Sequence, residues 1–373
     1  MSRIIAIPSA SLLVLAVIAG SARPQSILSN PAKPDHPKAG RVVTLEDVLR
    51  IEDAGTDFYI KNVYGLAVSR DGSIFVQDEE KRILRFDAQG RFLGSILETG
   101  QGPGEVRRIN GLVAGNNELG ILTDPQKVSI RDRGGKLIQD ISLAGSRGMI
   151  ELIALTKEAV FFGREEPPNP KNPGSGAATV LQRKILRISR SSGGPELIAA
   201  VSFPARIEFF PQGGWGVRKF SRYQTEHLDG SILTVAQAME YRVDIFDAPA
   251  RKLVASFRRP YKKVKAQGGG GLVGPGGSLS QPSAYIHDIT GVYTVGGHLW
   301  VKTSAVDAKR GILFDVYDKS GRYVDCFFLK PKAGETSPGA WGYRFIFSEG
   351  FVYFWEITEE GSTVIRKCRM IGL

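Results

Sequence analysis

GLAVSRDGSIFVQDEEKRILRFDAQGRFLGSIL, from Gly65 to Leu97, is the stretch on which the fold of this chain turns. Its short apolar runs are separated by an Asp71-Gly72 turn, a charged loop after Asp78 and an Asp87-x-x-Gly90 turn. Short β-branched and aromatic runs bounded by Asp and Gly read as strands, and three tight connections make them one four-stranded antiparallel unit. A unit of this size cannot cover both of its own faces, so its meaning depends on whether it recurs.

It recurs. Asn110 to Leu143 repeats the scheme with GLVAG, an Asn116-Asn117 turn, LGILTD and KVSIRDRGGKLIQDISL, which carries its own Asp132-x-x-Gly135 turn. A third copy starts near Ile150, breaks at PPNPKNPGSG between its second and third strands, and resumes at RKILRIS. Such a Pro, Asn and Gly cluster is a surface loop. The fourth copy, with Asp229-Gly230 where the first has Asp71-Gly72, is followed by the glycine-rich connection Gln267 to Ser280. The fifth reuses the turn at Asp318-x-x-Gly321. Long amphipathic helical windows are scarce, so the class is all-β, and repeats of four strands at this period predict a six-bladed β-propeller.

The sixth copy supplies only three strands, RFIFS, VYFWEIT and VIRKCRM. Arg41 to Glu52, RVVTLEDVLRIE, precedes the first copy and begins like a strand, so it is expected to complete the last blade and leave no open sheet edge. The domain reading is a signal peptide over 1–22, a Pro-rich spacer over 23–40 and a propeller over 41–373. Its blades fall at about 64–97, 109–143, 150–203, 220–258, 286–329, and 344–370 plus 41–52.

The string IFVQDEEKRILRFDAQGRFLGSI, followed by Gly100-Gln101-Gly102-Pro103-Gly104-Glu105 at the junction into the second copy, resembles exported bacterial six-bladed propellers related to NHL repeats, of TolB-like architecture. The resemblance implies the fold. It implies little about activity, since propellers host lyases, lactonases and pure binding modules alike.

Arg3, the apolar run Leu12 to Ile18 and the small residues Ala19 to Ala22 form an export signal, with cleavage expected near Ala22. The run is shorter than the roughly 20 apolar residues a membrane span needs. The chain is therefore expected in the periplasm or outside the cell, not spanning a membrane once cleaved. Net charge is +11, which favours anionic envelope polymers or acidic ligands, while export argues against nucleic acid. Cys326 and Cys368 admit either one disulfide or two buried thiols.

Candidate site residues follow from propeller geometry. Inner strands start at one mouth of the channel, and second strands end there. This places Asn62, Arg108, Asn110, His287 and Asp288 at inner-strand starts, and Asp78, Asp124, Arg164 and Glu356 at second-strand ends. The acids Asp78, Asp124 and Glu356 admit an oxygen-liganded divalent ion of the Ca²⁺ type, and no other cofactor is expected. With four histidines in the chain, a multi-histidine zinc site has too few candidates, and only His287 beside Asp288 suits acid or base chemistry. Gly100 to Glu105 lacks the Lys and Ser/Thr of a phosphate loop and reads as a turn. Trp300 and Trp355 read as packing between blades, Trp215 and Trp341 as loop or ligand contacts. The functional reading is an exported, monomeric, non-catalytic scaffold that binds a protein, peptide or glycan through a channel mouth or a rim. The alternative is a metal-assisted lactonase or lyase.

Overall fold

The turns that punctuate the sequence are built from their own side chains. Asp87 Oδ1 accepts from the backbone amides of Gln89 at 3.0 Å and Arg91 at 2.9 Å. Asp132 and Asp318 repeat the arrangement, each one carboxylate turning the chain from the third strand of a blade into the fourth. Gly321 closes the last of these at φ +81, where an added Cβ would lie 2.5 Å from the Phe257 ring of the preceding blade. That position admits glycine only.

The computed structural model describes residues 27–52, 58–78, 82–98, 106–124, 126–143, 148–166, 178–191, 193–209, 215–219, 223–229, 232–237, 240–265, 285–330 and 345–373. The leader, the Gly100 to Glu105 string, the glycine-rich connection and Trp341 lie outside them. Blade 1 comprises Val63–Val68, Ile74–Asp78, Arg82–Phe86 and Phe92–Glu98. Blade 2 comprises Arg108–Ala114, Glu118–Asp124, Lys127–Asp132 and Leu137–Ser142. Blade 3 runs through Met149–Leu155, Ala159–Glu166, Ala178–Ser189 and Glu196–Phe209, and blade 4 through Tyr223–Asp229, Ile232–Gln237, Arg242–Asp247 and Lys252–Arg258. Blade 5 is Ile289–Val295, His298–Asp307, Gly311–Tyr317 and Tyr323–Lys330. The first strand of each blade touches those of both neighbours, and Ile346–Ser348 of blade 6 meets Val63–Val68 of blade 1. The ring is closed.

Closure follows the sequence expectation. Blade 6 contributes Ile346–Ser348, Phe351–Ile357 and Thr363–Ile371, and Arg41–Ile51 pairs antiparallel with the last of these. The closing strand does more than complete one blade. Its first residues, Arg41 to Thr44, pair in parallel with Phe327 to Lys330 of blade 5, so blades 5 and 6 share one continuous eight-stranded sheet.

Two expectations need correction. The segment read as an unfolded spacer docks: Leu28–Ser29 pairs in parallel with Phe257 and Arg258 at the outer edge of blade 4. Asn30, 6 % exposed, then reaches blade 5, donating Nδ2 to the Gly321 carbonyl at 3.0 Å and accepting from the Tyr323 amide at 2.9 Å. The prolines stop this stretch from forming a longer strand without preventing three residues from finding partners. Blade 3 has five strands rather than four, because its fourth continues past Pro204 to Phe209 and pairs with Trp215–Lys219. Pro204 is tolerated because the fifth strand starts pairing only at Ala205, so no neighbour on that side asks for its missing amide.

The core consists of layers between blades. Phe75, Ile83, Ile109 and Ile121 pack blade 1 on blade 2; Leu122, Val128, Val160 and Phe162 pack blade 2 on blade 3; Phe161, Ile185, Val235 and Ala248 pack blade 3 on blade 4. Ile245, Phe257, Leu299 and Tyr317 join blades 4 and 5; Trp300, Phe314, Phe354 and Cys368 join blades 5 and 6; Ile74, Leu84, Tyr353 and Ile365 close the ring. Being covered on both faces, Ile74–Asp78 is buried at every position. Buried charge reinforces the layer between blades 4 and 5: Arg259 donates Nε and Nη2 to Asp315 Oδ2 at 2.8 and 2.6 Å, and the Tyr323 and Tyr241 hydroxyls donate to the same carboxylate. Cys326 and Cys368 are buried free thiols in different layers. No helix among the described residues is long and apolar enough to cross a membrane.

Candidate functional site

Strand register fixes which residues share the mouth where inner strands begin. Val63 is opposite Asp78, Arg108 opposite Asp124, Ile150 opposite Arg164 and Ile289 opposite Thr303. Asn62, Asn110, His287 and Asp288 flank these pairs in the chain, and Glu356 lies at the matching end of Phe351–Ile357.

These residues do not share one fate. Asp78 is 3 % exposed and spends both oxygens internally. Oδ1 accepts from the amides of Lys61 and Asn62 at 3.1 and 3.2 Å, and Oδ2 from Arg82 Nε and Nη2 at 3.0 and 2.8 Å. The same guanidinium covers the Tyr59 ring at 4.2 Å and donates to the Tyr59 carbonyl. Asp78 thus anchors the loop that enters blade 1. Glu356 receives Arg366 Nη1 at 3.3 Å, and Arg164 donates to Glu166 at 2.9 Å, where Lys184 joins at 2.7 Å. Among the described residues no three His, Cys, Asp or Glu side chains converge as a metal-holding group. Asn62, Arg108 and Asn110 are exposed, while Asp124 and His287 are half-buried.

Asp288 differs from the other acids. It is 3 % exposed, its Oδ1 is buried without a hydrogen-bond partner, and Lys263 Nζ stands 3.7 Å from Oδ2. Burial pushes its pKa above the usual carboxylate value, more than the Lys263 charge and the Tyr241 amide pull it down. Beside it the Ser304 amide donates to the Asp288 carbonyl at 3.1 Å, and the Ser304 and Tyr261 hydroxyls share a hydrogen bond of 2.8 Å.

Besides Arg366, sequence reasoning missed two more buried cations near this mouth. Arg183 fits against Gly163, where an added Cβ would lie 2.7 Å from its Nη2, and reaches Glu151 at 2.6 Å. Lys302, 5 % exposed, sits over the Phe345 ring at 5.1 Å, and burial pulls its ammonium down to about 8. The signal for Lys302 is legible: a lone cation inside the apolar run LWVKTS.

Apolar groups stand exposed around the same opening. Tyr59 and Tyr64 are each 55 % exposed and Met149 is 69 % exposed, with Val180, Tyr285 and Ile357 also open to solvent. Trp300 is buried between blades 5 and 6 as expected, and Trp355 packs at the blade 6 to blade 1 layer. Trp215 lies on the fifth strand of blade 3, opposite Phe209.

Residues 53–172 match the model of a family described as a 6-bladed beta-propeller. A crystal structure of a Bacteroides fragilis NCTC 9343 protein assigned as exported is similar at 12 % identity and TM-score 0.52, over 92 % of this chain and 99 % of that one. BamB from Moraxella catarrhalis follows at 11 % identity and TM-score 0.38, covering 87 % and 99 % of the two chains. The C-terminal WD40 domain of Sif2 is similar at 12 % identity and TM-score 0.39, over 89 % and 100 %. No curated protein matches the sequence. The chain is a six-bladed β-propeller.

Proposed function

We propose that this six-bladed propeller is an exported binding module, periplasmic or secreted, that receives a protein or peptide across the mouth where its inner strands begin. The observation that carries the reading is the exposure of Tyr59, Tyr64 and Met149 beside Arg108, Asn62 and Asn110 at that opening. Tyrosine, methionine and arginine are enriched at the centres of protein interfaces, where they supply apolar area and directed hydrogen bonds together. The acids of the mouth support the reading from the other side. Asp78 and Glu356 are engaged by Arg82 and Arg366, so neither acid faces a partner unpaired.

The test is capture from an envelope fraction by the mature chain, compared with Tyr64→Ala/Arg108→Ala and Met149→Ser variants of unchanged thermal stability. Loss of the captured protein in the variants supports the reading. Capture that survives both variants, or that yields only glycan, overturns it.

A further inference from the structure

The exposed apolar side chains divide by position. At the mouth they include three tyrosines, whereas those at the start of the outer strands are all aliphatic. The second residue of the outer strand is aliphatic in blades 1 to 5, Leu93, Ile138, Leu197, Leu253 and Val324, and on the closing strand Val48 stands at the matching register, next to Asp47 opposite Cys368. Equivalent positions in blades arranged around one axis fall on one circle, so these residues form a belt at a single height. In four consecutive blades the belt is open: Val48 is 45 % exposed, Leu93 46 %, Ile138 48 % and Leu197 46 %.

The turns that precede the belt carry more cations than acids. Asp132, Asp247 and Asp318 each point an oxygen inward onto a backbone amide of their own turn. In those three blades the turn and the residue opening the outer strand carry two cations for that one acid: Arg133 and Lys136, Arg251 and Lys252, Lys319 and Arg322. The acids are half-buried; Arg133 pairs with Asp71 and Arg251 with Glu196, and Lys136, Lys252, Lys319 and Arg322 are exposed.

We propose that this rim docks the propeller on an anionic lipid bilayer, with the mouth turned away from the membrane. A circle of equivalent positions presents its side chains to a plane, and a bilayer surface is one. Aliphatic groups enter the boundary between headgroups and acyl chains while cations meet lipid phosphates. A protein partner would call for the aromatic anchors found at the mouth, and the exposed apolar groups of the rim include none.

Cosedimentation with vesicles tests this independently of the mouth. The mature chain is expected to bind vesicles of equimolar phosphatidylglycerol and phosphatidylcholine, to bind phosphatidylcholine alone far less, and to release as salt rises. Lys136→Glu/Lys252→Glu/Lys319→Glu should weaken binding by about fivefold or more per position, each cation near an anionic surface being worth roughly that factor. These substitutions lie in turns or at a strand's first residue and spare the core. Ile138→Trp gives a second readout, an indole emission that shifts to the blue on adding anionic vesicles. Tyr64→Ala should leave vesicle binding unchanged. Equal binding to both vesicle types, no binding to either, an unaffected charge variant, or rim-dependent dimers in place of vesicle binding would each overturn the proposal.

Discussion

Arg366, its side chain 1 % exposed, donates Nε to Asp47 Oδ1 at 2.8 Å and Nη1 to Glu356 at 3.3 Å. One guanidinium thus joins the closing strand to the second strand of the last blade. Removing one partner of a buried pair leaves the other uncompensated, so Asp47→Ala should cost about 3 kcal/mol in urea unfolding. Burial raises the Asp47 pKa, but hydrogen bonds from Arg366 and Cys368 and the charges of Arg366 and Arg50 bring it below the ordinary 3.8. A depressed carboxylate contributes stability that is present above its unfolded pKa and lost as pH falls through the folded one. The acid limb of the wild-type stability profile should therefore be steeper than that of Asp47→Asn.

The N-terminal segment yields a graded pair of variants, a substitution and a deletion. Asn30→Ala removes the side-chain bonds to Gly321 and Tyr323 and should cost about 2 kcal/mol, leaving a soluble, folded ring. Deleting residues 41–52 should be far worse, because it opens an edge on blade 5 and another on blade 6. Soluble yield and unfolding temperature report both. A truncated chain that melts with the full one would remove the closing strand from the account of stability.

Asp288 predicts the opposite sign to Asp47. Its pKa is raised, chiefly by burial, so the folded state favours the protonated form and the stability linked to it is lost as pH rises through the raised value. Asp288→Asn should therefore stabilise the protein at pH 7, with the advantage shrinking toward pH 4, as read from denaturant midpoints across that range. A destabilised variant at pH 7 would mean that the ionised carboxylate is needed where it stands.

The cysteines offer a chemical check. Cys326 and Cys368 lie in different inter-blade layers, and burial raises the Cys326 pKa. Thiol titration should find two reactive groups in denaturant and a much slower reaction in the native protein. A count of zero in non-reducing denaturant would establish a disulfide.

What could be read in advance followed the range of the interactions. The turns at Asp87, Asp132 and Asp318 use bonds two to four residues apart, so local sequence reveals them. Closure was legible as a missing strand. Asn30 was not, because its partners lie near residue 320 and nothing around it has the period of a strand. At the mouth, topology identified which strand ends lie together but could not tell an acid facing a ligand from one facing an arginine. Asp78 had such an arginine at Arg82, across the same hairpin, and Glu356 found its own at Arg366 on the adjoining strand.

The eight-stranded sheet also sets an order of assembly. Arg41–Ile51 emerges before any blade, yet its antiparallel partner ends at Ile371, almost the last residue of the chain. A strand made before every blade is thus the last to find its antiparallel partner. Any product that stops short of the sixth blade keeps an unpaired edge, and the fold thereby distinguishes a finished molecule from an unfinished one, exposing the latter to proteolysis before it can present a complete mouth.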